Sequence, residues 1–548
     1  MIPASKISKK ELPLYKKACR EIIHRLLYTP NPPTSNIEIN KLKVQVAREY
    51  HLTRIPSNPD ILFFANKDER QQLVKYLIKR PVRSLSGVAV IAVMTKPFPC
   101  PHGKCVYCPG GPNSELGDVP QSYTGHEPAT MRGIEHGFDP YLQVRSRLIQ
   151  LKQIGHNPQK IELIIMGGTF PSVPRSYQTR FIKRCYDALN ESESFTLQDA
   201  ILKNETAKYR VVGLTIETRP DYAKKKHADM MLEYGTTRVE LGVQNVFDDI
   251  YELVKRGHTV DDVIEATRIL KDCGFKINYH MMPGLPGSSF ERDLEGFKKI
   301  FNDPRFKPDM LKIYPTVVVK GTELYKWWRA GKYKPYSNET AAKLIAEVLH
   351  ILPRWIRIQR VQRDIPAWMI DAGPTAGNMR QLAHKYLYEM YGEYCHCIRC
   401  REVGHKWQKF KILPDLENIK LKRETYEASE GIEIFLSYED VKKDILIGFL
   451  RLRIPSEKAH RPEIAEQPSA IVRELHVYGP QLMLGELPKD MGEWQHRGYG
   501  SKLLKAAEKI AKEEYDRRKI VIISGVGVRE YYMKHGYKRD GSYMSKYI

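Results

Sequence analysis

Apolar positions recur with two different periods along this chain, and the changes of period divide it. Over residues 11 to 27, ELPLYKKACREIIHRLL, Tyr15, Cys19, Ile22, Ile23 and Leu26 fall on one helical stripe. Lys16, Lys17, Arg20 and Arg25 lie mostly away from it, so the pattern predicts an amphipathic N-terminal helix with a basic outer face. From about residue 85 short apolar runs alternate with amphipathic segments: GVAVIAVM (87–94), IELIIMGG (161–168), VVGLTIE (211–217), TRVELGVQ (237–244), FKINYHMM (275–282) and MLKIYPT (310–316). One intervening segment, TVDDVIEATRILKDCG, opens on Thr259 and Asp262 in a capping-box pattern and stops at Gly274. Repeated strand–helix units predict a parallel sheet, and six of them a partial (β/α)6 TIM-like barrel whose chemistry belongs at the carboxyl ends of the strands. Near residue 430 the period becomes two: EIFLSYED and DILIGFLRLRI read as an antiparallel pair, followed by a strand in IVRELHVYG and a helix after WQHRGYG. The expected fold class is α/β, a partial barrel followed by a separate α+β domain and preceded by a basic helical extension. The expected boundaries are 1–80, 81–385, a cysteine-rich linker over 386–425, and 426–548.

At 548 residues the chain exceeds a single core, in line with several domains. Its 88 Lys and Arg against 65 Asp and Glu give a net charge of +23, a field that attracts polyanions, nucleic acid first among them. Nine cysteines, few and odd in number, point to a reducing compartment, the cytoplasm, where thiols are free to bind metal. The run 87–94 is too short to cross a bilayer and MIPASKISKKEL lacks an apolar signal core, so a soluble protein is expected.

Three of the nine cysteines stand in FPCPHGKCVYCPGGP, directly after the first strand. Cys100, Cys105 and Cys108 cannot all pair as disulfides, and C-x4-C-x2-C on a Gly/Pro loop lets three thiolates converge on one inorganic centre with a coordination place left open. Zinc is the alternative, with His102 the local candidate for a fourth ligand. The sequence here resembles the radical S-adenosylmethionine superfamily, although the commoner spacing is C-x3-C-x2-C. The resemblance implies a 4Fe-4S cluster on these three cysteines, with Met166, Gly167, Gly168 and Thr169 as the glycine-rich turn that accepts the cofactor's amino group. Glu217 in TIETRPD, Gln244 in GVQN and His280 in YHMMPGLPG also fall where barrel strands end.

In WQHRGYGSKLLKAAEKIAKEE, Gln495, Gly498, Tyr499 and Gly500 lead into a strongly helical run whose first N–H groups are free to cradle a pyrophosphate. With IVRELHVYG before it and VIISGVGVREYYMKHGY after it, the order resembles GNAT-type acetyltransferases. That resemblance implies acetyl-CoA, with Glu474, Leu475, His476 and Val477 along the pantetheine and thioester, and Tyr531 or Tyr532 near the sulfur. Glu474 and His476 share a strand face by alternation, so either could act as base.

The two halves in this order resemble the catalytic subunit of Elongator and its single-chain archaeal relatives, through CPHGKCVYCPGGP, QSYTGHEPATMR, MGGTF, ETRPDY, GHTV, RVQRDIP, RELHVYG and YYMKHGY. The resemblance implies a tRNA-modifying enzyme that forms 5-carboxymethyluridine at wobble uridine 34 from acetyl-CoA by S-adenosylmethionine radical chemistry, and it assigns Lys160 to acetyl-CoA. The alternative is a protein lysine acetyltransferase with a structural iron-sulfur domain. A second cluster, YCHCIRC, brings Cys395, Cys397 and Cys400 into a spacing suited to a structural zinc, with His405 as the expected fourth ligand ahead of His384 and His396. The expected partner is tRNA, through its anticodon stem-loop, with no membrane and with self-association open. Lys16, Lys17 and Arg20 are the expected backbone contacts, joined by AKKKHADM and RVQRDIP.

Overall fold

The computed structural model describes residues 11–30, 32, 33, 35–77, 87–479 and 498–548. They fall into two compact units, one drawn from Met1–Ser84 and Arg145–Gln159, the other from Leu85–Val144 and Lys160–Ile548.

In the first unit the helical stripe read from the sequence is the core. Tyr15, Cys19, Ile22, Ile23 and Leu26 of the helix Leu12–Leu27 pack against Ile39, Leu42 and Val46 of Asn36–Glu49, Ile61 and Leu62 of Asn58–Phe64, and Leu73 and Leu77 of Lys67–Leu77. Lys16 and Lys17 stand exposed on the outer face. Arg20 does not join them as a free cation: its guanidinium grips the Glu69 carboxylate at 2.5 and 2.8 Å, an ion pair between helices of the same unit. Arg25 is engaged likewise by Glu21 and Glu49. The expected basic face therefore narrows to the two lysines.

The second unit holds two sheets. After β1 (Ala89–Met94) come a short hairpin, β2 (Gly111–Ser114) and β3 (Gly117–Val119), then β4 (Lys160–Met166), β5 (Arg210–Thr218), β6 (Arg238–Gln244), β7 (Lys276–Met281), β8 (Met310–Ile313) and β9 (Arg357–Val361). All six expected barrel strands are present, and β9 adds a seventh from RIQRV, a run too charged to read as a buried strand. The order β1-β4-β5-β6-β7-β8-β9 is parallel at every step. Along β4 the alternation is strict: Ile161, Leu163 and Ile165 are buried on one face, while Lys160, Glu162, Ile164 and Met166 occupy the other.

The C-terminal sheet comprises β10 (Ile419–Ala428), β11 (Gly431–Asp440), β12 (Ile445–Ile454), β13 (Ser469–Val477), β14 (Lys519–Ile522), β15 (Lys538–Asp540) and β16 (Tyr543–Tyr547), in the order β10-β11-β12-β13-β14-β16-β15. Because β10 begins at Ile419, this domain starts inside the stretch expected to be linker. The helix Tyr499–Tyr515 lays Leu503, Leu504, Ala507 and Ala511 onto the sheet. β13 runs antiparallel to β12 and parallel to β14, but pairs with β14 only over Ser469–Val472. A bulge opposite Arg451 and Leu452 leaves Arg473 out of the β12 register.

That bulge aims Arg473 at the barrel. Its guanidinium meets Asp309 at 2.6 and 2.8 Å and Glu433 at 2.7 Å. Arg453 joins Asp272 at 2.8 Å and Glu433 at 3.1 Å, and Arg451 reaches Glu474 at 3.0 Å. These three arginines are fully buried, so the two sheets are joined by desolvated charges rather than by an apolar seam alone. Backbone contact is as close: a Cβ on Gly525 would lie 2.1 Å from the Val212 carbonyl oxygen, and one on Gly527 2.4 Å from Arg210 Cβ. The C-terminal domain thus sits at the amino ends of the barrel strands. The segment between them is pinned to both, with Ile398 N–H donating to the Ile356 carbonyl at 3.1 Å and Glu402 bridged to Leu446.

Candidate active site and metal centres

At the carboxyl ends of the strands a cavity is lined by Cys100, Tyr107, Gln121, Tyr123, Met166, Gly168, Thr169, Glu217, Gln244, Arg256, His280, Lys312 and Arg363. Every strand-end residue singled out from the sequence reaches it or borders it. The cysteine loop is held by two tight turns, Gly103 N–H to the Cys100 carbonyl and Cys108 N–H to the Cys105 carbonyl, both at 3.0 Å. The His102 imidazole stands between two thiols, 3.1 Å from Cys100 Sγ and 3.1 Å from Cys105 Sγ. Burial, with Arg219 and Arg256 nearby, pushes its pKa down to about 3. Gln121 Nε2 donates to Cys108 Sγ at 3.0 Å, and Arg256 Nη1 to Cys105 Sγ at 3.7 Å.

Beside the loop, Gly167 and Gly168 take φ of +133° and +101°. A Cβ on Gly167 would lie 2.0 Å from Thr95 Oγ1, so the shelf they form requires glycine. Gln244 ends β6 with φ +69°, and its Oε1 is buried with no hydrogen-bond partner among the described residues. A left-handed non-glycine residue and an unpartnered buried oxygen each cost energy, so the end of β6 is strained as well as polar. Glu217 accepts from Tyr123 Oη at 2.7 Å and lies 3.6 Å from Lys312 Nζ. His280 Nε2 is 2.8 Å from Glu240 Oε2 and its ring meets Tyr314 edge to face. Burial and the Lys312 ammonium lower the His280 pKa, which keeps the ring neutral.

Several of these groups carried no sequence signal of their own. A file of charges runs along the inner face of the half-barrel: Glu162 to Arg238 at 2.5 Å, Arg238 to Glu240 at 3.4 Å, and Glu240 to Lys312 and His280. Burial alone would raise the Glu240 carboxyl, yet Lys312 and His280 hold it well below the usual carboxylate range. Apolar side chains usually fill a barrel interior, and alternating strand positions read as ordinary pleat until the strands are assembled. Gln121, Ser122 and Tyr123 stood in a motif noted only for its resemblance; proximity to the cysteines was the available clue. Ser122 has φ +72°, and its carbonyl accepts from Arg363, which ties the RVQRDIP loop to the cysteine loop.

Lys160 lies elsewhere. It opens β4, six residues before Met166, so it stands about 20 Å along the strand from the cavity, at the end that meets the C-terminal domain. Burial lowers its pKa. Glu474 belongs to the same end: burial would raise its carboxyl, but Lys276, Arg451 and His476 hold it below the ordinary value. Glu474, expected as a possible base, is paired with Arg451 at 3.0 Å. His476 lies against Tyr478 with the rings tilted by 33° and their centroids 4.3 Å apart.

Gly498 caps the helix Tyr499–Tyr515 with φ +79°, and the first turn carries no acidic side chain. Gln495 lies outside the described residues. Tyr531 brings its hydroxyl to this helix start, 2.6 Å from where a Cβ on Gly500 would stand, with Val477 Cγ2 at 3.8 Å from the same point. Tyr532, the other expected candidate, packs in the core with Leu503, Tyr537 and Met544. Adjacent helical residues point about 100° apart, so one of the pair had to turn inward.

The second cluster assembles, with a different fourth member. His384, Cys395 and Cys400 place one ligand atom each within 4.8 Å of one another. Cys397 shares with Cys400 the Arg380 guanidinium, at 3.5 and 3.8 Å. His384 Nε2 lies 3.9 Å from Cys400 Sγ, and burial and Arg380 push its pKa down to about 4. His405, the expected ligand, is 3.1 Å from Glu402, and His396 is 3.2 Å from Asp444. Chain proximity favoured His405, whereas the helix Met379–Tyr391, which directly precedes the cluster, supplies His384.

Three family models match: the radical SAM superfamily over residues 97–296, the radical SAM C-terminal domain over 308–389, and the ELP3 N-terminal domain over 15–85. A protein named tRNA uridine(34) acetyltransferase from Methanocaldococcus jannaschii is 54% identical over 97% of this chain and 98% of its own length. Elongator complex protein 3 of Schizosaccharomyces pombe is 46% identical over 98% of each. The solved structure of the archaeal Methanocaldococcus infernus Elp3 with an N-terminal deletion superposes with a TM-score of 0.74 at 52% identity, covering 85% of this chain and 100% of that one.

Proposed function

This chain belongs to the Elongator complex protein 3 family, and we propose that it is a tRNA-modifying enzyme that builds 5-carboxymethyluridine at wobble uridine 34, drawing on S-adenosylmethionine radical chemistry and acetyl-CoA. One observation carries the reading. Cys100 of the three-cysteine loop, Gly168 of the glycine shelf and Gln244 with its orphaned amide oxygen line one cavity, in a chain that matches relatives named for uridine 34 over nearly its whole length.

The residues present fit a 4Fe-4S cluster with S-adenosylmethionine. Soft thiols on one loop are the donor set such a cluster takes, and Gln121 and Arg256 already direct N–H groups at two of the sulfurs. Cys100, Cys105 and Cys108 would hold the cluster; Gly167, Gly168, Glu217 and Gln244 would hold the cofactor. Together these groups supply, when bound, the means to abstract a hydrogen atom from an unactivated methyl group. The protein's part is positional: Tyr123 and Lys312 fix Glu217, and Glu240 with Tyr314 fixes the neutral His280 ring.

Acetyl-CoA is assigned to the C-terminal domain, in the GNAT manner. Backbone N–H groups after Gly498 suit a pyrophosphate, since the helix behind them is long and its first turn holds no carboxylate to repel one. The pantetheine is assigned to Glu474–Val477, the part of β13 that has parted from β14. Tyr531 is placed to donate a proton or hydrogen bond to the leaving thiolate. A structural zinc on Cys395, Cys397, Cys400 and His384 would clamp the segment between the sheets. The +23 charge and the exposed Lys16 and Lys17 support a tRNA partner, and single-stranded anticodon bases can be splayed into a pocket at low cost. No described helix is long and apolar enough to cross a membrane.

The test is an anaerobic reaction of reconstituted protein with uridine-34 tRNA, acetyl-CoA, S-adenosylmethionine and dithionite, followed by nucleoside mass spectrometry. Carboxymethyluridine from the wild type and none from Cys105→Ala is expected. Acetylated protein from both, with no modified nucleoside, would overturn the reading in favour of a lysine acetyltransferase.

A further inference from the structure

Two guanidiniums lie against the cysteine loop, and they are compensated differently. Arg219 is 3% exposed and clamps Asp221 with two bonds, at 2.9 and 2.8 Å, so its charge is locally neutralised. Arg256 is 7% exposed and donates through Nη2 to the Gly242 carbonyl and through Nη1 to Cys105 Sγ at 3.7 Å. Its Nε has no partner among the described residues, and none of their carboxylates pairs with it.

An isolated buried cation is costly and is kept only where an opposite charge offsets its lost hydration. For Arg256 the structure offers one such source, the thiolate-bearing loop. The approach is close: a Cβ on Gly242 would stand 2.6 Å from Arg256 Nη2, so a larger residue at that point of β6 would displace the guanidinium from where it lies. The loop is also tied to the segment that carries the arginine, with Val106 N–H donating to the Val254 carbonyl at 3.1 Å.

We infer that Arg256 is a positioning residue for the iron-sulfur centre, a fixed buried charge that takes the cluster as its counter-ion and raises the cluster's reduction potential. The inference rests on the cluster assignment of the proposed function. Adding an electron makes the centre more negative, so a cation desolvated beside Cys105 stabilises the reduced form more than the oxidised one. Arg219, already paired with Asp221, contributes less.

Potentiometric titration of the reconstituted full-length protein, followed by the electron paramagnetic resonance signal of the reduced cluster, tests this. Iron and sulfide are quantified per chain in each variant. Arg256→Gln is expected to shift the midpoint to more negative potential by at least a tenfold change in the one-electron equilibrium, about 59 mV, whereas Arg256→Lys and Arg219→Gln shift it less. If Arg256→Gln fails to retain a cluster, retention by Arg256→Lys near the wild-type potential supports the same conclusion, because charge is what lysine keeps. Equal midpoints for wild type, Arg256→Gln and Arg256→Lys, or loss of the cluster from both variants at 256, overturn it. A wild type that binds no iron would instead overturn the cluster assignment itself.

Discussion

Removing one charge from the seam between the two sheets should cost more than any change on the surface. Asp309 receives Arg473 at 2.6 and 2.8 Å, has Arg451 at 3.6 Å and Lys271 at 3.8 Å, and accepts the Ile277 N–H at 2.8 Å. Burial alone would raise its carboxyl, yet Arg473, Lys271 and Arg451 hold it far below the usual range. Asp309→Asn keeps the shape and leaves three cations facing a neutral amide. Breaking a buried pair from one side costs about 3–5 kcal/mol. At about 2 °C per kcal/mol for a large cooperative unit, the transition should fall by about 6–10 °C. Differential scanning calorimetry at pH 6 and at pH 8 is the assay. A carboxylate with a depressed folded pKa contributes fully above its unfolded value of about 3.9 and loses that contribution only as pH falls through the folded value. The carboxylate's own share of the deficit should therefore be the same at both pH values, and the total should be no larger at pH 8 than at pH 6, because Lys271, whose pKa of about 8 Asp309 helps to hold up, sheds its proton more readily once that charge is gone. Arg473→Met on the Asp309→Asn background should cost less than the two single changes added. A transition within 2 °C of wild type for Asp309→Asn (about 1 kcal/mol by the same conversion) would refute the view that these charges hold the domains together. Lys271→Met should cost less than half as much, since Lys271 Nζ makes no hydrogen bond among the described residues and its pKa is pushed down to about 8 by burial.

Other expectations follow from single contacts. Reversing Lys16 and Lys17 to Glu should weaken tRNA binding and flatten its salt dependence by about one unit of slope per lost phosphate contact; Arg20→Ala should lower thermal stability instead, and an unchanged slope in the lysine double variant would move the RNA site elsewhere. Elemental analysis should find one zinc per chain in wild type and His405→Ala but not in His384→Ala, with the opposite pattern restoring His405 as ligand. Tyr531→Phe should slow CoA release by about 10²-fold if its hydroxyl assists the leaving thiolate, while Tyr532→Phe leaves the rate near wild type; equal rates for all three proteins would remove tyrosine from the chemistry.

Local grammar was enough for most of the scaffold. The stripe of Tyr15, Cys19, Ile22, Ile23 and Leu26 became a helix core, and Thr259 with Asp262 did cap the helix Val260–Asp272, because both depend on neighbours three or four residues away. The six apolar barrel strands were legible for the same reason, and so was the glycine shelf, since a turn with positive φ is written in glycine. What escaped was anything decided by partners distant in the chain. RIQRV reads as a charged loop until β8 offers an edge, and Arg20 reads as an RNA contact until Glu69 arrives from another helix. His384 rather than His405 meets the second cysteine cluster, and Tyr532 rather than Tyr531 turns into the core, because helix docking chooses the face. The charged file inside the half-barrel and the Arg473–Asp309 seam are the extreme cases. Residue type and spacing set which chemistry this chain can carry, but whether a buried charge is stabilised depends on distances of a few ångströms between residues far apart in sequence, and only the tertiary structure fixes those.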